Sequence, residues 1–98
     1  MSITGIGKNE PIATNEQGGK QSATPYRFDL VPAKAMFALA HVVAEGAKRY
    51  EKDNWRKISV ADHLNHALQH IYAYMAGDEQ DDHLGHALCR LAFAVELL

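Results

Sequence analysis

The sequence predicts an all-α fold: three main helices, the last two forming a C-terminal helical hairpin, completed as a bundle by oligomerisation. Three observations carry this. Apolar residues recur at helical spacing from Met36 onward. Capping and stop residues punctuate that pattern at Ser59, Gly77 and Asp82. Asp62-His63-Leu64-Asn65-His66-Ala67-Leu68 is matched further on by Asp82-His83-Leu84-Gly85-His86-Ala87-Leu88, a short internal repeat that reads as a hairpin.

Each element follows from local chemistry. Residues 1–24 have scattered Gly, Asn, Gln and Ser without periodicity, and read as a flexible N-terminal arm. Residues 25–98 read as a single helical domain. Pro32 suits a first helical turn, where a missing N–H costs nothing. The first helix should end near Tyr50, with Lys48 and Arg49 facing the negative end of its dipole. A connector, Glu51 to Ile58, leads to Ser59 as an N-cap, and a second helix runs to about Ala76. Gly77 stops it. Asp82 opens a third helix that continues to Leu98.

The 98 residues are 47% hydrophobic and 22% charged, with a formal net charge of −2. That balance argues against whole-surface nucleic-acid binding, so no stable nucleic-acid complex is expected. No apolar run approaches the roughly 20 residues of a membrane span, and the N-terminus lacks a secretory core. Together with one cysteine, Cys89, this reads as a cytoplasmic protein with no membrane partner.

Leu64, Leu68, Ile71 and Met75 form one stripe on the second helix, and Leu84, Leu88, Leu91, Val95 and Leu98 form another on the third. His63, His66 and His70, and then His83, His86 and Arg90, take the other sides. The simplest packing buries the Leu stripes and turns the His faces toward solvent or a second subunit. Small flanking residues favour a homo-oligomer, a dimer or larger.

Three clusters are candidates for chemistry. Asp78, Glu79, Asp81 and Asp82 crowd the turn; carboxylates suit hard cations, although such a group also serves as ordinary helix-start charge. His66 with His70 and His83 with His86 have metal-ligand spacing, and histidine is the natural base near neutral pH, although surface histidines are often merely polar. Lys48, Arg49, Lys52, Arg56 and Lys57 surround Tyr50 and Trp55, a setting for phosphate and base, although Trp55 equally suits a plug beneath the connector. In the hairpin, His70, Asp78, Glu79, Asp82, His86 and Arg90 can share one neighbourhood, whereas His63 and His66 fall nearer Trp55.

Tyr26-Arg27-Phe28-Asp29-Leu30-Val31-Pro32, Glu45-Gly46-Ala47-Lys48-Arg49-Tyr50, Asn54-Trp55-Arg56-Lys57, and then His70, Gly77-Asp78-Glu79, Asp82 and His86-Ala87 resemble a phage family. That family is the dATP/dGTP diphosphohydrolase N-terminal domain, distantly similar to the all-α, MazG-like nucleotide pyrophosphohydrolases. The resemblance implies a metal-dependent enzyme that cleaves purine deoxynucleoside triphosphates to dNMP and pyrophosphate. It implies Mg²⁺ or Mn²⁺ at Glu45, Asp78, Glu79, Asp82 and His86, with His70 and Glu79 as catalytic groups. Arg27, Lys48, Arg49, Asn54, Trp55 and Arg90 would bind the nucleotide. MazG-like enzymes pair Glu-x-x-Glu with Glu-x-x-Asp; Glu79-Gln80-Asp81-Asp82 fits the second motif, while Glu45 stands alone on the first helix. The alternatives are a non-catalytic phage protein that sequesters a nucleotide, including a cyclic signal of host defence, and a structural oligomerisation module.

Overall fold

A computed structural model describes residues 3–98 and divides the chain into two compact units, the first ending at Val31 and the second running from Pro32 to Leu98. The first unit contains β1 (Ile12–Thr14) and β2 (Lys20–Ser22), an antiparallel pair in the register Ile12 with Ser22, Ala13 with Gln21 and Thr14 with Lys20. The Asn15 side chain makes its turn by accepting from the Gln17 and Gly19 amides at 3.0 and 2.8 Å. Gly18 supplies the left-handed residue with φ of 82°. This ribbon lies within residues 1–24, where no periodicity is visible. Its six paired residues are all exposed, so no buried face imposes alternation. A 3-10 turn at Phe28–Leu30 follows.

The second unit is all-α. It contains α1 (Ala33–Arg49), α2 (Val60–Met75) and α3 (His83–Glu96), with a 3-10 turn at Asn54–Lys57 between the first two. The expected caps form. Ser59 accepts from the Asp62 amide at 3.1 Å, and Asp82 accepts from the Gly85 amide at 3.0 Å. Gly77, with φ of 90°, turns the chain out of α2. α3 is the hub, packing along α2 and also against α1. No helix among the described residues is long and apolar enough to cross a membrane.

The hairpin is inverted relative to the expectation from its stripes. His63 is fully buried and His83 nearly so, while Leu68 is 52% exposed, Leu84 51% and Val95 69%. The buried apolar side chains are small or medium: Val42, Ala67, Ala87, Cys89 and Ala94. Ala67 and Ala87 hold the same place in the two repeat copies and are both buried, so the packed side of each helix carries a methyl group there instead of a large side chain. Two imidazoles are buried as well. Their burial is tolerated because every buried side-chain nitrogen and oxygen among the described residues has a partner.

Candidate functional site

The second unit carries an open cavity of about 840 Å³, bounded by the second half of α1, the connector, α2 and α3. Its size is that of a small-molecule site. His41, Glu45, Arg49, Tyr50, Lys52 and Asn54 line it from α1 and the connector. His66 and His70 enter from α2, and Asp81, Asp82, His86, Cys89, Arg90 and Phe93 from the turn and α3.

Trp55 lines the cavity near the connector, and the buried His63 lies behind it. Trp55 stacks flat on Phe93, centroids 4.3 Å apart and 3° from parallel, and the Arg56 guanidinium lies 4.3 Å from the same ring. Phe93 fills one face, so Arg56 takes the other, and Trp55 becomes a filled sandwich instead of an open platform for a base. His63 Nε2 lies 3.0 Å from the Trp55 carbonyl, and its Nδ1 lies 3.2 Å from Arg90 Nη1. Arginine only donates, so His63 Nδ1 accepts and Nε2–H donates to the carbonyl. The result is a neutral, fully buried ring that anchors Arg90 at the cavity wall. Arg90 has no carboxylate partner within salt-bridge distance among the described residues.

His83 lies behind the His70 side of the cavity and uses both ring nitrogens in the same manner. Its Nε2 lies 2.5 Å from Asp78 Oδ2, and its Nδ1 lies 2.9 Å from His70 Nδ1. The His70 ring is stacked on His86, centroids 4.9 Å apart, and His86 Nε2 faces Asp81 at 3.4 Å. Burial, followed by the neighbouring His86 and His83, pushes the His70 pKa below the usual histidine range. The hydrogen bond from His83 holds the Asp78 carboxyl below its ordinary value. Burial raises the Cys89 thiol, consistent with an inert core cysteine.

The expected carboxylate set for a cation is not gathered. Asp78 is held by His83, and Asp82 Oδ1 caps α3. Glu79 lines a separate shallow hollow with Tyr74, Asp78, Asp81, Asp82, His83 and Leu84, apart from His70. Glu45 sits across the large cavity on α1, 4.0 Å from His41. Among the described residues no three His, Cys, Asp or Glu side chains are placed to hold one ion. The residues present do not fit a preformed Mg²⁺ or Mn²⁺ centre, because capping and imidazole pairing already engage two of the oxygen donors.

The expected nucleotide-binding residues also divide. Arg49, Asn54, Trp55 and Arg90 line the cavity, whereas Lys48 is exposed on α1 and Lys52 takes a place on the wall. Arg49 also lies 5.2 Å from the Tyr50 ring centroid. Arg27 belongs to the first unit, forked onto Asp29 through two 2.9 Å hydrogen bonds.

A family model for the dATP/dGTP diphosphohydrolase N-terminal domain matches residues 15–98, which include β2, all three α-helices and both buried histidines. The chain belongs to that family. No curated protein and no solved structure matches it. Membership in the dATP/dGTP diphosphohydrolase family agrees with a cavity of nucleotide size that carries an unneutralised guanidinium.

His63 and His83, expected on outward faces and His83 in a metal-ligand pair with His86, are instead buried residues that hold the side chains facing the cavity. Both sit at the second position of the repeat, seven residues before His70 and Arg90 respectively. Each reaches across the hairpin to the other helix's partner, His63 to Arg90 and His83 to His70. The repeat was the signal: a matched His at a helix-crossing position, followed by unlike polar residues seven places on.

Proposed function

We propose that this domain binds the phosphates of a purine deoxynucleoside triphosphate in the large cavity and takes part in its cleavage to dNMP and pyrophosphate. The observation that carries the reading is Arg90: a guanidinium on the cavity wall, fixed by a fully buried neutral histidine and lacking a carboxylate partner. Such a donor is oriented before the ligand arrives, and charge-assisted bonds to phosphate are the strong ones. Arg49 and Lys52 add cationic charge at the α1 end, and His70 is the basic group on the facing wall.

Hydrolysis of dATP and dGTP, measured with Mg²⁺ and with Mn²⁺, tests this. Turnover that falls in Arg90→Ala is expected. The distribution of the carboxylates favours a second reading, a nucleotide binder without turnover. Tight binding with unaltered nucleotide recovered would select that reading, and no binding of either nucleotide would remove both.

The same reading includes a homo-oligomer. The spacings of Leu64, Leu68, Ile71 and Met75, and of Leu84, Leu88, Leu91, Val95 and Leu98, alternate four and three, the pattern of a helix-bundle seam. Most of these side chains are exposed in the protomer. No Asp, Glu, Lys or Arg occurs from His63 to Gly77, and Arg90 is the only one between His83 and Val95. A charge-free double stripe on an antiparallel pair is self-complementary about a twofold axis, so a second copy of this chain is its natural partner.

A further inference from the structure

The two buried histidines use their ring nitrogens identically. In each, Nε2 meets an oxygen, from Trp55 or Asp78, and Nδ1 meets a side chain on the opposite helix, Arg90 or His70. At His63 the direction of both bonds is fixed, because arginine cannot accept. The same accounting applies at His83. The Asp78 carboxylate only accepts, so His83 Nε2 carries a proton. When His83 is neutral it offers the Nδ1 lone pair, and the 2.9 Å contact then places a proton on His70 Nδ1. That leaves Nε2 of His70 as the lone pair. It has no hydrogen-bond partner among the described residues, and its ring lines the cavity.

We propose that Asp78 and His83 are positioning residues that lock His70 in its Nδ1–H tautomer, so that Nε2 serves as a fixed proton acceptor in the cavity. A proton leaving a water molecule or a ligand hydroxyl passes to Nε2, and its electron pair stays on the departing oxygen. His70 becomes an imidazolium whose Nδ1–H bond to His83 is already made. The Asp78 charge supports that cation through one intervening ring, the logic of a carboxylate that orients a basic histidine. No bond in the chain has to rearrange when the proton arrives. The arrangement accounts for Asp78 lying against an imidazole instead of an ion, and for the near-complete burial of His83.

The inference concerns the resting protein and stands apart from the nucleotide reading. The test is long-range ¹⁵N–¹H correlation of the histidine rings in the full chain at about pH 8, without nucleotide or metal. His70 should show a pyrrole-type Nδ1 and a pyridine-type Nε2, the tautomer that free histidine populates less, and His83 the reverse. A His70 spectrum of the Nε2–H type, or one averaged between the two, overturns the proposal. In His83→Phe the His70 signals should relax to the averaged pattern; retention of a pure Nδ1–H form also overturns it. Should that variant fail to fold, Asp78→Ala removes a partly exposed side chain instead, and should unlock both rings. Absence of hydrolysis with the expected tautomers intact would sink the enzyme reading and leave this one standing.

Discussion

The two faces of the α2–α3 hairpin carry opposite chemistry in places opposite to those hydrophobicity suggests. The inner face holds His63, Ala67, His83, Ala87 and Arg90, and is buried or half-buried; the outer face holds Leu64, Leu68, Leu84 and Val95, and is exposed. The difference teaches that an apolar stripe identifies a packing surface without identifying whose surface it packs against. Small residues decide the intramolecular contact here. Ala67 and Ala87 are small and buried, and the two buried imidazoles are satisfied by Trp55 and Arg90 at His63 and by Asp78 and His70 at His83. The larger, stickier side chains are left for another surface.

The sharpest way to break this comparison is to charge the outer face. Leu68→Glu with Leu91→Glu places two carboxylates in the proposed seam of each protomer. If a second copy covers that seam, several large apolar contacts of about 1.5–3 kcal/mol each are lost, and light scattering should show the particle mass fall to that of one chain. If the stripes face water, the pair costs under about 1 kcal/mol and the mass does not change. The latter result would remove the oligomer.

The inner face is tested next, at Arg90. Arg90→Ala deletes a charge-assisted donor worth about 1.5–3 kcal/mol, so calorimetry should find dATP affinity reduced about 10- to 100-fold. Arg90→Lys should restore only part of it. A single ammonium cannot both donate to His63 Nδ1 and present a planar fork to phosphate. Equal affinity in all three proteins would assign the phosphate to another cation.

Much of the fold was legible because its signals are local. Ser59, Gly77 and Asp82 act on the backbone within a few residues of themselves, and the helix ends fall where they were expected. Membership of the family was legible from Arg27 through His86. The buried side of the hairpin was not, since it depends on partners across space, Arg90 for His63 and His70 for His83. The site was half legible: His70 and Arg90 line the cavity, but the partners of Asp78 and Asp82 are tertiary facts that residue spacing does not encode.

Acid provides a gentler perturbation, read through His70. His70 has a lowered pKa in the folded protein, from burial first and then from His86 and His83. The unfolded chain therefore binds this proton more readily than the folded one. The associated stability is present above the ordinary histidine value, about 6.5, and is lost as pH falls below it toward the depressed folded value. Urea midpoints at pH 7.5 and 5.5 should differ, with lower stability in acid, and His70→Gln should flatten that difference. Asp78 is also depressed, so its contribution is present above about 3.8 and lost only below that, in a separate window. An acid loss undiminished in His70→Gln would place the sensitive group elsewhere.

The smallest effect separates the two repeat copies at one position, Asn65 on α2 and Gly85 on α3. Asn65 is exposed, whereas Gly85 is buried beneath the carboxylate that caps α3. A Cβ at Gly85 would collide with the Asp82 side chain. Replacing a helical glycine by alanine gains about 1 kcal/mol of helix propensity, while disturbing a cap loses about 0.5–2 kcal/mol. Gly85→Ala alone should therefore be near neutral to destabilising by about 1 kcal/mol. In an Asp82→Ala background the nearest colliding atoms are gone, and the same substitution should stabilise by about 1 kcal/mol. A double-mutant cycle on urea midpoints reads that reversal of sign directly. Equal effects in both backgrounds would mean that the glycine is retained for a reason other than its cap, and the contrast between the two copies would then rest on the histidines alone.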